Sequence, residues 1–68
     1  MNGVVYIGNR LKEARTKRLL TQQELAQKAG VTPTAIARAE LNRTEPQFRT
    51  IRKLAKALDV DPTELIGE

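Results

Sequence analysis

The sequence predicts an all-α domain of five short helices. Apolar residues recur at helical spacing along most of the chain, and residues suited to starting or ending helices stand between these stretches. No stretch alternates well enough for a strand, although residues 4–6 could extend. Sixty-eight residues suffice for one domain. We therefore expect a single domain over 7–66, after a flexible or extended N-terminal extension at 1–6 and before a short tail at 67–68.

The first two helices are predicted over about residues 7–18 and from residue 21 onwards. In the second, T-Q-Q-E at 21–24 is a capping box, in which the side chains of Thr21 and Glu24 accept hydrogen bonds from each other's free backbone amides. Gly30 ends this helix, because glycine takes a left-handed conformation without penalty.

The third helix is predicted to begin after Thr32, a side-chain cap, with Pro33 at its first position, where a missing N–H costs nothing. It reaches about Leu41, and Asn42 is a left-handed terminator. R-T-E-P, at 43–46, is a loop.

The fourth helix, at about 47–58, has the clearest apolar face of the chain. Its members are Phe48, Ile51, Leu54, Ala55 and Leu58. D-P-T-E at 61–64 caps a last short helix through Leu65 and Ile66.

The break between the second and third helices is typical of a helix-turn-helix motif. Ala26 is small where the helices must approach, Gly30 permits the turn, and Val31 and Ile36 are apolar on either side of it. In this motif the first helix braces the second, which projects outward.

Composition narrows the function classes. The chain has no cysteine and no histidine, which argues against disulfides, a structural zinc site and most catalytic mechanisms. We expect no enzyme activity, no cofactor, no metal and no evident small-molecule ligand. No apolar run is long enough for a membrane span, so a cytoplasmic protein is expected.

The charge of the chain is unevenly distributed. Residues 1–58 carry twelve Lys and Arg against four acids, a net charge of +8, whereas residues 59–68 carry a net charge of −4. Such a basic body favours a polyanionic partner, with solvated basic helices as the alternative.

Several joined motifs resemble the phage repressor and Cro-type (XRE) helix-turn-helix family. They are R-L-K-E-A-R, T-Q-Q-E-L-A-Q-K-A-G-V-T, I-A-R-A-E and P-Q-F-R-T-I-R-K-L-A-K-A-L-D-V-D-P-T-E-L-I, and they cover nearly all of residues 7–66. The resemblance implies a lambda-repressor-like five-helix bundle that binds double-stranded operator DNA, usually as a homodimer. We accordingly expect a sequence-specific transcriptional regulator, a repressor, at the nucleoid. Its third helix, at about 32–41, would enter the major groove.

Helical geometry separates an inner and an outer face of the third helix. With Ile36 inward, Ala39 and Glu40 lie near the same side. The outward positions are Thr34, Ala37, Arg38 and Leu41. The resemblance places base-reading side chains at Pro33, Thr34 and Arg38. Arg38 is the long donor among them and suits a bidentate contact to guanine, while Ala37 and Leu41 suit apolar contacts. The alternative for Arg38 is an ordinary solvated arginine.

Phosphate contacts are expected at helix starts, where free amides and the helix dipole favour anions. The resemblance implies Gln22 and Thr32 for this role, and Arg43 with its neighbour Asn42 are further candidates in the following loop. For Gln22 the alternative is a helix-start residue facing water.

Arg15 and Glu40 fall on apolar faces, where an unpaired charge would be costly. The resemblance implies that they form a structural ion pair, and Arg15 could also reach a phosphate. The chain departs from the family pattern at Pro33, at the small Ala39, at Leu41–Asn42 and at Glu45, which brings a negative charge near the expected phosphates. Few polar base readers remain, which favours modest specificity or a reliance on DNA shape.

A protein-interaction module, such as an antitoxin-like partner, is the alternative function. The outward Leu41 and the acidic end with Leu65 and Ile66 motivate it. Leu65 and Ile66 are also the candidate contacts of a homodimer, helped by residues 4–6. Plain core packing is the other interpretation of these two side chains.

Overall fold

The computed structural model describes residues 5–66, which form five helices and contain no strand. These are α1 (Gly8–Lys17), α2 (Gln22–Ala29), α3 (Pro33–Glu40), α4 (Phe48–Leu58) and α5 (Pro62–Ile66). The predicted all-α architecture is confirmed. Val5 and Tyr6 lie outside any regular element, and the rest of the N-terminal extension and the tail at 67–68 lie outside the described residues.

The local signals for α2 act as predicted. Thr21 Oγ1 accepts a hydrogen bond from the Glu24 amide at 3.0 Å, and Glu24 Oε1 accepts one from the Thr21 amide at 2.8 Å. Gly30 closes the helix at φ 75°. A Cβ on Gly30 would meet nothing within 4 Å, so the backbone conformation alone requires glycine there.

α3 starts and stops close to its predicted limits. Thr32 Oγ1 accepts a hydrogen bond from the Ala35 amide at 3.1 Å, and Pro33 is the first helical residue. The helix ends at Glu40, and Asn42 takes the left-handed conformation at φ 57°. Two further residues, Leu19 and Asp59, are left-handed at φ 58° and were not predicted to be so.

The core lies where all five helices meet. α2 packs against α3 and α4, while α1 packs against α3 and α5. The buried apolar side chains are Ile7, Leu11, Leu25, Ala26, Ala29, Ile36, Ala39, Ile51, Leu54, Ala55, Leu58 and Leu65. None of the five helices within residues 5–66 is both long and apolar enough to cross a lipid bilayer.

One expectation about apolar side chains is wrong, and one open alternative, core packing of Leu65, is decided by the structure. Phe48, assigned to the inner face of α4, is 63% exposed, because the first residue of this helix lies beyond the edge of the core. Leu65, a candidate dimer contact, is 1% exposed and belongs to the core of its own chain. Ile66, its partner in that prediction, is 40% exposed.

Candidate nucleic-acid interface

The two faces of α3 differ as helical geometry predicted. Ile36 and Ala39 are buried in the core. On the opposite face Thr34, Arg38 and Leu41 are exposed and Ala37 is half-buried, and Pro33 is exposed at the start of the helix. This face, defined by Pro33, Thr34, Ala37, Arg38 and Leu41, is called the α3 outer face below. It combines one long cationic donor with short and apolar side chains.

A part-buried ion pair joins α1 to the end of α3. Arg15 Nε lies 2.5 Å from Glu40 Oε2, and Arg15 Nη2 lies 3.1 Å from Glu40 Oε1. The third nitrogen, Nη1, donates to the Leu20 carbonyl oxygen at 2.8 Å. The side chains of Arg15 and Glu40 are 14% and 4% exposed, so the pair is largely removed from water.

The hydrogen bond to Glu40 raises the pKa of Arg15 above its ordinary value, and the Coulomb attraction of Glu40 adds to this while burial opposes it. The guanidinium therefore stays charged. Because the two groups share two hydrogen bonds, the pair fixes both the distance and the rotation of α3 relative to α1. The expected pairing of these two residues is present in the structure.

Gln22 completes this network from α2. Its Nε2 donates to Glu40 Oε1 at 3.0 Å, so residues of α1 and α2 both bond to one carboxylate on α3. This contact was not predicted, because the Gln22 side chain was expected to face a phosphate or water. What Gln22 still presents at the start of α2 is its backbone amide, which has no partner within the helix.

The other residues expected to contact phosphates differ in how many of their polar groups already bond within the protein. Arg43 is exposed, and its backbone amide bonds to the Arg38 carbonyl oxygen at 2.9 Å. The Thr32 hydroxyl caps α3. Three of the five N–H donors of Arg15 bond within the protein, which leaves one N–H on each terminal nitrogen, and a phosphate contact from Arg15 stays a prediction. Asn42 is exposed, but its Oδ1 accepts a hydrogen bond from the Gly8 amide at 2.9 Å.

The contact between Gly8 and Asn42 has no counterpart in the sequence analysis. A Cβ built on Gly8 would lie 2.5 Å from Asn42 Oδ1 and from the Glu40 carbonyl oxygen, so only glycine fits. Close by, the Val5 amide donates to Glu45 Oε2 at 3.1 Å. The partners are 34 and 40 residues apart in the chain, and no local pattern indicates such contacts.

A short helix, a left-handed glycine turn and a second helix with an exposed outer face together define a helix-turn-helix domain. The helix-turn-helix family model HTH_3 matches residues 11–65, and the chain belongs to that family. The resemblance drawn from the sequence motifs is thereby confirmed.

The chain is 36% identical over 62 residues to the immunity repressor protein of Bacillus phage phi105. The match covers 91% of this chain but 43% of that repressor, and the chain spans less than two thirds of each of the first three curated relatives.

Solved structures of similar size match over nearly their whole length. The restriction-modification controller protein C.AhdI from Aeromonas hydrophila superposes with a TM-score of 0.85 at 37% identity, covering 91% of this chain and 94% of that one. The P22 c2 repressor, solved in complex with a synthetic operator, gives a TM-score of 0.83 at 33% identity, covering 90% and 92%.

Proposed function

We propose that this chain is a sequence-specific DNA-binding regulator of transcription, and in particular a repressor, that inserts α3 into the major groove. The observation that carries the proposal is the α3 outer face, with Arg38 exposed while the Arg15–Glu40 pair fixes the helix behind it. The similarity to a repressor solved with a synthetic operator supports this. The function is one of binding, without catalysis, and requires no metal or cofactor.

Base recognition would depend on a small set of side chains. Arg38 suits a bidentate contact to guanine O6 and N7, which is worth about 1–3 kcal/mol of discrimination. The Thr34 hydroxyl can bond to a base edge and its methyl can touch a thymine methyl, while Ala37 and Leu41 offer only apolar contact. Pro33 brings no side-chain donor. With so few polar readers, part of the selectivity would come from DNA shape.

Phosphate binding would surround this face. The first-turn amides of α2, at Gln22, and of α3, after Thr32, lack partners within their helices and favour anions. Arg43 adds an exposed positive charge just beyond α3. Each phosphate contact releases counterions, so affinity should fall steeply as salt is raised. Glu45 faces the N-terminal segment through its bond to the Val5 amide, which satisfies one oxygen of the carboxylate within the protein.

A homodimer would supply the discrimination that one small module lacks, since a single module buries roughly 600–1,000 Å² on DNA. We infer a symmetric pair that reads half-sites about 34 Å apart. Since Leu65 is core, the remaining candidate contacts of the acidic end are Ile66 and the nearby Glu64. Tyr6, 52% exposed, is the candidate from the N-terminal extension. Sedimentation of the protein alone and with duplex tests this. The regulator would work in the cytoplasm, at the nucleoid.

A selection experiment tests the proposed function. Purified protein is incubated with genomic fragments at moderate salt, and the retained DNA is sequenced. The same selection is run with Arg38→Ala and with Arg52→Ala, which removes the same charge from α4. The proposal expects a short palindrome for the native protein. Arg38→Ala should lose preference at one base position of each half-site, whereas Arg52→Ala should keep it.

The second candidate function is a protein-interaction module. Leu41 and Phe48, 66% and 63% exposed on either side of the loop between α3 and α4, favour it. Failure of all fragments to bind at low salt, together with a stable protein partner that copurifies, would support this alternative against the proposed one.

A further inference from the structure

The N-terminal segment of the chain is fastened to the loop that follows α3. The Gly8 amide donates to Asn42 Oδ1 at 2.9 Å, and the Val5 amide donates to Glu45 Oε2 at 3.1 Å. We call these two hydrogen bonds the N-terminal clasp. Between them Ile7 is 1% exposed, which anchors the segment in the core.

The clasp provides a hydrogen-bond acceptor for the first amide of α1, which has none within the helix. The first amides of an α-helix have no partner within the helix. Ile7, the N-cap residue, has no side-chain acceptor, and Asn42 provides one from just beyond the end of α3. The carbonyl groups of Ala39 and Glu40, at the negative end of α3, also lie against the positive start of α1, which favours the same arrangement.

Asn42 suits both demands of its position. It adopts φ 57°, a conformation that asparagine tolerates better than most residues. Its amide N–H bonds to the Ala39 carbonyl oxygen at 3.1 Å and closes the end of α3. A glycine would satisfy the backbone equally well, but it would lack the Oδ1 that reaches Gly8. The side chain is therefore needed for the contact with α1 and not for the turn.

We propose that the clasp makes Asn42 a positioning residue for DNA binding, rather than a phosphate contact. This inference rests on the proposed function. Arg38 and Leu41 lie in or next to the last turn of α3, and Arg43 directly follows Asn42. From Arg43 to Gln47 the loop has no regular structure of its own. Because the loop is already ordered in the free protein, it loses less conformational entropy when DNA binds.

Three variants separate positioning from phosphate contact. Asn42→Gly keeps the left-handed backbone and removes Oδ1. Asn42→Asp keeps an acceptor for the Gly8 amide. Asp59→Gly is the matched control, since Asp59 is also left-handed at a helix end and lies away from the clasp. Hydrogen exchange of the Gly8 amide is measured by NMR in the free protein. Affinity for the selected duplex is measured by fluorescence anisotropy at four salt concentrations.

The inference expects the Gly8 amide of Asn42→Gly to exchange about tenfold faster or more, while Asn42→Asp and Asp59→Gly retain its protection. Duplex affinity of Asn42→Gly should fall about fivefold, the value of one net hydrogen bond. The slope of log affinity against log salt should stay unchanged, because no phosphate contact is lost.

Other outcomes overturn the inference. A salt slope that falls by about one in Asn42→Gly identifies Asn42 as a phosphate contact. If Asn42→Gly binds the duplex as tightly as the native protein, or if its Gly8 amide exchanges at the native rate, Asn42 has no positioning role. The proposed function is unaffected by either result. Absence of duplex binding by the native protein contradicts the proposed function itself, and the positioning role with it.

Discussion

Replacing Glu40 by glutamine tests how far the domain depends on the buried ion pair. The carboxylate is 4% exposed and accepts three hydrogen bonds, two from Arg15 and one from Gln22. Glu40→Gln leaves the Arg15 guanidinium without its counter-charge at a site where that side chain is 14% exposed.

The expected cost follows from the burial of the pair. Removing one partner of a buried ion pair costs about 3–5 kcal/mol. Glutamine keeps one acceptor oxygen, and Arg15 keeps its bond to the Leu20 carbonyl oxygen, so we expect about 2–3 kcal/mol. A chain of this length has a total stability of about 3–10 kcal/mol. Glu40→Gln should therefore remain folded at low temperature but lose a large part of its stability.

Urea unfolding followed by circular dichroism at pH 7 measures this cost. Glu13→Gln makes the same chemical change at an exposed position of α1 and should alter the free energy of unfolding by less than about 0.5 kcal/mol. Adding Arg15→Met to Glu40→Gln removes the stranded charge and should restore part of the stability. If Glu40→Gln were as stable as Glu13→Gln, the pair would not hold α3, and the reasoning would be refuted.

Three further substitutions test separate features of the fold. Leu19→Gly should raise the free energy of unfolding by about 0.5–1 kcal/mol, since Leu19 is left-handed at φ 58° and its side chain is 89% exposed. A lower melting temperature of the variant would contradict this prediction. Gly8→Ala should lower the free energy of unfolding, measured in urea, by at least about 2 kcal/mol, because the alanine methyl group would collide with backbone carbonyl oxygens. An unchanged free energy of unfolding would show that α1 can shift away from these oxygens without cost. Hydrogen bonds from the Thr63 hydroxyl and amide lower the pKa of Asp61 below its ordinary value, so Thr63→Ala should raise that pKa in an NMR titration. Because the folded pKa is lowered, the contribution of Asp61 to stability is present above pH 3.8 and is lost as the pH falls through the folded value. An Asp61 pKa that is identical in both proteins would exclude the hydroxyl as its cause.

The helices were predictable because their signals are local. The capping box at Thr21, the glycine at residue 30 and the Thr32–Pro33 start act through backbone groups within a few residues of themselves. Phe48 shows the limit of periodicity. Helical spacing gives the direction of a side chain, but it does not show whether the core extends far enough along the axis to cover it.

The site was predictable in part. Apart from Pro33, which only the family resemblance indicated, the α3 outer face follows from geometry once Ile36 is set inward. The other contacts do not, because the bond from Gln22 to Glu40 and the N-terminal clasp each depend on how two parts of the fold that are distant in the sequence meet. The left-handed Leu19 also has no sequence signal, since glycine or asparagine is the usual choice in that conformation.

An NMR titration of the native protein with the selected duplex shows directly whether α3 contacts the DNA. We expect the largest changes in amide shift at the starts of α2 and α3, at Arg43, and on the α3 outer face at Thr34, Ala37, Arg38 and Leu41. The Arg38 Nε–H resonance should shift as well. Changes confined to α1 and α5, with α3 unaffected, would contradict the claim that α3 reads the DNA.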